Sequence, residues 1–502
     1  MRIKPFLLSC AWLAAPLFAQ GQAPSLRILL PERTRLLQGQ QVDLVLEVRN
    51  ASAVSNLKVM AGDVDLTAKF SRPAAAQLDC DETSDWVLRA DLQSFGTVGT
   101  VKLQATASAG GTEVTDSRDV LVRPFSLPAD GVRRNVILFI GDAMGTAYRD
   151  AARLVSRSTL DANGKNAFRE GFFDDLLEMD KMPVSGMSMT YGSDSIVPDS
   201  ANTGTAWASG NKSFLNAVNT FGDGTDCRWR FNGAANAANL PSILDNPRVE
   251  TLWEYLRRLH GYRTGIVTTA DVTDATPAVQ GSHSGFRQTR FEIARQYLEN
   301  PMLNGRPAFD VILGAGMDQF TAAARPDGRN LLAEFQSRGY RLVTTATALK
   351  GLSYGQPALG LFKGSASPAP ASDRIRSAAD VNMDVAYDKL GLARPASEPA
   401  PSFGGYTDQP MLDTMTGKAI EILSSSFGNQ PFVLMVGFRT GDHTGSSVPV
   451  TAEGAGAFLF MGYMDQSDIF FKMAMALTGD TADGDKLVEL LQSAKYPKSV
   501  GK

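Results

Sequence analysis

Apolar positions recur with a period of two through the first part of the chain. Val42, Leu44, Leu46 and Val48 fall on one face of such a pattern, and Val101, Leu103, Ala105 and Ala107 repeat it. Gly110-Gly111 gives a hairpin signal ahead of Val114. The pattern predicts short strands over residues 26–125, and about a hundred residues of this kind suggest a small β-sandwich of immunoglobulin-like type. The stretch has no histidine and no cluster with metal-ligand spacing, so a spacer or adhesive module is the natural reading. Pro124 to Gly131 reads as a linker.

After the linker the period changes. Asn135-Val136-Ile137-Leu138-Phe139-Ile140 is a continuous apolar run ending in Gly141-Asp142, as expected of a buried parallel strand. Similar runs recur at Gly265–Thr269, Asp310–Gly314 and Phe432–Val436. Between them, Val249, Leu252, Trp253, Leu256 and Leu259 share one helical face, and Gly261 stops that helix. Strands alternating with helices predict an α/β fold over residues 131–502. It is an open, mostly parallel sheet flanked by helices, with ligands at the carboxyl ends of its strands. Ser213–Asn246 and the Pro- and Ser-rich stretch Gly355–Pro410 read as insertions over the edge or mouth of the sheet.

Candidate chemistry gathers at the strand ends. Met187, Met189 and Tyr191 alternate as a short strand, and a polar loop then leads to Asp199-Ser200-Ala201 and a run of small residues up to Gly210. Ser200 therefore sits where a loop enters a helix, a place that favours an alkoxide and an incoming phosphate. Taken alone, Asp199 or Ser200 reads more simply as a helix cap. Asp142 ends the first apolar run, and Asp271, Asp274 and Thr276 follow the second. An aspartate and a threonine two apart offer hard oxygen ligands that suit magnesium. Of the three histidines, His260 ends a helix, His283 precedes Arg287 by four residues, and His443 lies in Gly441-Asp442-His443-Thr444-Gly445. The Arg287 guanidinium is shaped to hold a phosphate bidentately.

Composition narrows the setting. The chain has 49 basic and 53 acidic residues and a net charge of −4, with no polybasic run. Nucleic acid and anionic membranes are thereby disfavoured as partners. Arg2 and Lys4, the apolar stretch Phe6–Phe18 and the small residues up to Ala23 read as a secretory signal over residues 1–23. No later segment looks transmembrane, so a periplasmic or extracellular protein is expected. Cys10 lies too early for a lipoprotein site, and Cys80 and Cys227 are read as separate thiols or a disulfide.

Taken together, these motifs resemble the alkaline phosphatase family. The match runs through Asn135–Gly145, Asp199-Ser200-Ala201, Gly265–Thr269, Asp274-Ala275-Thr276-Pro277, Arg287, Asp310–Gly314, His443-Thr444-Gly445, Val448-Pro449-Val450 and Met464–Phe470, in order. The resemblance implies an exported phosphatase acting on phosphate monoesters, with two zinc ions, one magnesium ion and often a homodimer. Ser200 resembles the nucleophile that forms a phosphoserine, and Arg287 the phosphate clamp. Asp142 resembles the aspartate bridging zinc and magnesium, Asp274 and Thr276 the other magnesium-side ligands, and His443 the last zinc ligand.

The family pattern also breaks. Members carry a long segment, including a further strand and Asp-His pairs, where Leu434-Met435-Val436 here runs directly into Gly437–His443. Gly437 occupies the expected glutamate position. One zinc site keeps His443, and the other keeps Asp142 and Ser200, short of the usual three ligands. Three readings stay open: a working phosphatase with replacement ligands such as Asp223, Asp226 or Asp442; a phosphate-binding protein without catalysis; and an internally truncated gene.

Overall fold

The structure is a computed structural model. It describes residues 23–31, 33–76, 85–129, 131–155, 159–160, 166–167, 176–222, 246–353, 355–362, 407–424, 430–479 and 484–486. The signal segment up to residue 22, the three cysteines, Asp223, Asp226 and most of both insertions lie outside the described residues.

The N-terminal strands are β1 (Ser25–Leu29), β2 (Arg35–Leu37), β3 (Gln41–Arg49), β4 (Val54–Ala61), β5 (Val64–Asp65), β6 (Ala74–Ala76), β7 (Asp85–Ser94), β8 (Gly99–Ala109) and β9 (Thr112–Arg123). They form two sheets, β1-β3-β7-β6 and β2-β9-β8-β4-β5. One core containing Ile28, Leu44, Leu46, Leu103, Ala105 and Val120 lies between them, as an all-β sandwich requires. β8 and β9 close through Gly110 and Gly111, whose φ values of 58° and 91° suit glycine. β8 alternates as its sequence predicts, but β3 is buried on both faces. Val45 packs with Leu29 and Val87 on the second face, and Asp43 and Glu47 are held there by arginines.

Further arginines join the sandwich to the rest of the molecule. Arg248 donates to Asp43 at 2.6 Å, and Val42 pairs with Val249 across the junction. Arg258 donates to Glu250 at 2.6 and 2.7 Å, while the Gln41 amide donates to the same carboxylate at 2.9 Å. Phe125, within the expected linker, is buried in the α/β core against Tyr255 and His260, with ring centroids 5.3 and 5.2 Å away. The sandwich is thus fastened to the α/β body instead of being spaced from it. His260, at the end of its helix, is part of that contact.

The central sheet contains β10 (Val136–Asp142), β14 (Arg263–Asp271), β15 (Val311–Ala315), β16 (Arg341–Val343), β17 (Ala358–Leu361) and β18 (Phe432–Arg439). Its order is β10-β18-β14-β15-β17-β16, and every neighbouring pair is parallel. Between β10 and β14 in sequence come a short ribbon, β11 (Thr159–Leu160) with β12 (Asn166–Ala167), and β13 (Val184–Ser188). β13 joins β19 (Val448–Ala452) and β20 (Gly462–Met464) in a separate small sheet, where Pro449 is tolerated on an edge strand.

Two expectations change here. β10 is parallel but lies at the sheet edge, with Ile137 37% and Phe139 54% exposed, while Val136, Leu138 and Ile140 pack on the core. A continuous apolar run does not distinguish an edge strand from a central one. β17 lies within the stretch read as an insertion, because its Ala-Leu-Gly-Leu run is too short to stand out there.

Candidate active site

Asp142 is the last residue of β10, and the chain turns away through Ala143 at φ 61°. Its backbone carbonyl accepts from both the amide and the hydroxyl of Thr440, each at 2.9 Å, which ties the loop after β18 to this strand end. Its carboxylate accepts from Thr276 Oγ1 at 2.9 Å and meets His443 Nε2 at 3.2 Å. Two of the expected site residues, Thr276 and His443, therefore converge on the carboxylate of a third, Asp142.

Ser200 opens the helix Ser200–Ser209. Asp199 is the cap: its Oδ1 accepts from the Ala201 and Asn202 amides at 3.1 and 3.0 Å, and Asn202 Oδ1 accepts from the Asp199 amide at 3.0 Å. Capping is thus done by the neighbour, and the buried Ser200 hydroxyl stands outside the capping box at the positive end of the helix. Small residues let the helix pack closely. A Cβ added at Gly204 would come within 2.7 Å of Val279 Cγ2, so the Ser200 helix rests on the turn that follows β14.

Arg287 connects the two sides. Its Nη1 donates to Asp199 Oδ2 at 3.0 Å and its Nη2 to Asp274 Oδ1 at 2.8 Å, with the side chain only 15% exposed. Its buried Nε has no hydrogen-bond partner among the described residues. Burial alone would raise the Asp274 carboxyl, but Arg287 and Arg290 outweigh it and hold the group down at about 2. Burial likewise opposes the charge on Arg287, and Asp274 and Asp199 overcome it and push the guanidinium further up. Asp274 also caps the short helix Ala275–Ala278, which carries Thr276 to Asp142. Ser200, Asp199, Arg287, Asp274, Thr276, Asp142 and His443 form one linked set.

Other candidates fall elsewhere. Asp271 accepts from Arg290 Nη1 at 2.6 Å, a partnership the sequence reading missed. His283 is buried between Glu254, at 3.0 Å from its Nε2, and the Asn219 carbonyl, at 3.2 Å from its Nδ1, so it is part of the core. Asp442 is exposed.

A family model for alkaline phosphatase matches residues 133–439. The chain belongs to the alkaline phosphatase family. Alkaline phosphatase 4 of Bacillus subtilis (strain 168) is 35% identical over 231 residues, covering 46% of this chain and 42% of that protein. The alkaline phosphatase of Escherichia coli (strain K12) is 29% identical over 355 residues, covering 64% and 63%. Streptomycin-6-phosphate phosphatase of Streptomyces griseus is 32% identical over 250 residues, covering 46% and 47%. The chain spans about half the length of the curated relatives it matches. Among solved structures, the alkaline phosphatase of the Antarctic bacterium TAB5 aligns with a TM-score of 0.46 at 19% identity, covering 70% of this chain and 99% of that one. A variant of that enzyme was solved with Mg bound in its M3 site.

The donor set of this alkaline phosphatase family member discriminates between metals. Among the described residues no three His, Cys, Asp or Glu side chains gather as a metal site. At Asp142 the nitrogen and carboxylate donors number two, His443 and Asp142 itself, so a family-type zinc site does not fit. Gly437, facing Ile140 and Thr268 across the sheet, supplies no carboxylate. Magnesium asks less of the protein, since it keeps several waters. Asp142 Oδ2 and Thr276 Oγ1, 2.9 Å apart, are hard donors of the right kind. Asp274, expected beside them as a magnesium-side ligand, has its Oδ1 committed to Arg287 and the Ala275 amide.

Proposed function

We propose that this chain hydrolyses phosphate monoesters by transferring the phosphoryl group to Ser200. The observation that carries the reading is the placement of Ser200 at the start of a buried helix, beside an arginine held by Asp199. Ser200 Oγ attacks phosphorus, the bond to the leaving oxygen breaks, and the serine proton replaces the phosphoryl group on the released alcohol. Water then cleaves the phosphoserine and restores the hydroxyl. Arg287 and the positive end of the Ser200 helix offset the charge on the phosphoryl oxygens. Asp142 and Thr276 would hold magnesium, which supplies fixed positive charge beside the transferred group. No step is assigned to zinc. Export to the periplasm or the medium belongs to the same reading and rests on the segment 1–23.

A second reading, a phosphate-binding protein without turnover, is favoured by the shortage of donors around His443 and Asp142. Assay of p-nitrophenyl phosphate with magnesium, with and without zinc, separates the two. The first reading expects turnover that Ser200→Ala abolishes. Absence of turnover, with inorganic phosphate still bound in calorimetry and released by Arg287→Ala, would establish the second.

A further inference from the structure

The rim of this site is apolar where it meets solvent. Tyr148, Ile196 and Val197 are 42%, 79% and 51% exposed. Tyr148 and Ile196 touch the loop that carries His443, and Val197 lies close to Ser200 in sequence. Tyr148 lies in the helix Thr146–Val155, which begins four residues after Asp142, and its hydroxyl end rests against Gly441, two residues before His443. Ile196 meets the same loop farther along: a Cβ added at Gly445 would lie 3.2 Å from Ile196 Cγ2. Thr190 Oγ1 donates to the Ser446 carbonyl at 3.1 Å, so the loops before Ser200 and after His443 are stitched together. Val197 comes three residues before Ser200. The loop that carries His443 thus touches a tyrosine before the histidine and an isoleucine after it. Asp442, exposed on that loop, adds negative charge to the rim.

We infer that the alcohol half of the substrate is an uncharged aromatic or aliphatic group, which Tyr148, Ile196 and Val197 receive while the phosphoryl half meets Ser200 and Arg287. The inference rests on the phosphomonoester reading above. Binding sites of this kind have apolar walls and a few placed polar groups. A carboxylate on the rim disfavours alcohols that carry further phosphates or carboxylates.

Two non-hydrolysable probes, phenylphosphonate and methylphosphonate, test this on the full chain in magnesium buffer by calorimetry, independently of turnover. Phenylphosphonate is expected to bind about tenfold more tightly, as burial of most of one ring implies. The ratio is expected to fall toward one in Ile196→Ser/Val197→Ser and to shrink in Tyr148→Ser. Equal affinity for the two probes in the parent protein overturns the apolar rim and leaves the phosphate site standing. A ratio untouched by all three substitutions overturns it as well. Binding of neither probe removes the phosphate reading itself, and the rim with it.

Discussion

Arg287 is engaged before any ligand arrives, with one terminal nitrogen on Asp199 and the other on Asp274. Its unpartnered Nε is one donor left over, and an arriving phosphate adds to this clamp or displaces part of it. Removing the guanidinium leaves the largely buried Asp199 carboxylate without its cation and Asp274 with Arg290 alone, 3.6 Å away. Arg287→Ala is therefore expected to lower stability by about 3 kcal/mol in chemical denaturation and phosphate affinity by about tenfold or more in calorimetry. Arg287→Lys keeps the charge but not the fork, and should recover stability better than affinity. The same pair sets an acid limit. The Asp274 carboxyl is lowered from 3.8 to about 2, so its contribution is present in full above its unfolded value and is lost as pH falls through about 2. Unfolding free energies measured between pH 5 and pH 2 should fall more steeply in the parent than in Asp274→Asn.

The helix Ser200–Ser209 does for Ser200 what the side chain cannot do for itself, by burying the backbone around it and setting the hydroxyl at its positive end while Asp199 takes up the first-turn amides. Its closeness to the turn after β14 depends on Gly204. Gly204→Ala places a Cβ 2.7 Å from Val279 Cγ2, and a loss of about 1–3 kcal/mol is expected in thermal unfolding, with turnover reduced because the helix start shifts. Much at this scale was readable beforehand. The parallel strands announced themselves as apolar runs, and Asp142 and Ser200 lay at their expected strand end and helix start. What escaped was whatever depends on neighbours distant in sequence. The exposed face of β10 is invisible in a run that looks buried, and β17 is four residues inside a stretch dominated by Pro and Ser. The capping choice between Asp199 and Ser200, the Arg290–Asp271 contact and the engagement of Asp274 by Arg287 needed the fold. So did the packing of half-buried His260 against Phe125 and Tyr255, because aromatic contacts across a domain junction leave no local pattern.

The whole molecule joins an all-β module to an α/β body through charges that neither could bury alone. Asp43 is fully buried between Arg89 and Arg248, one from each side of the junction. Asp43→Ala should cost about 3 kcal/mol and unfold the two parts less cooperatively in calorimetric scans. The family's fold is retained as a six-stranded parallel sheet even though the chain spans about half the length of its relatives. The proposed site keeps Ser200, Arg287 and Asp142, and among the described residues it lacks the donors for family-type zinc. The central claim is that this reduced set still moves a phosphoryl group onto Ser200. Acid-quenching the full chain with a phosphate monoester and magnesium, then mapping its peptides by mass, tests that claim most directly. One added phosphoryl group on the peptide containing Ser200, absent in Ser200→Ala, is the expected result. An unmodified Ser200 peptide, together with no release of alcohol with or without added zinc, would contradict it.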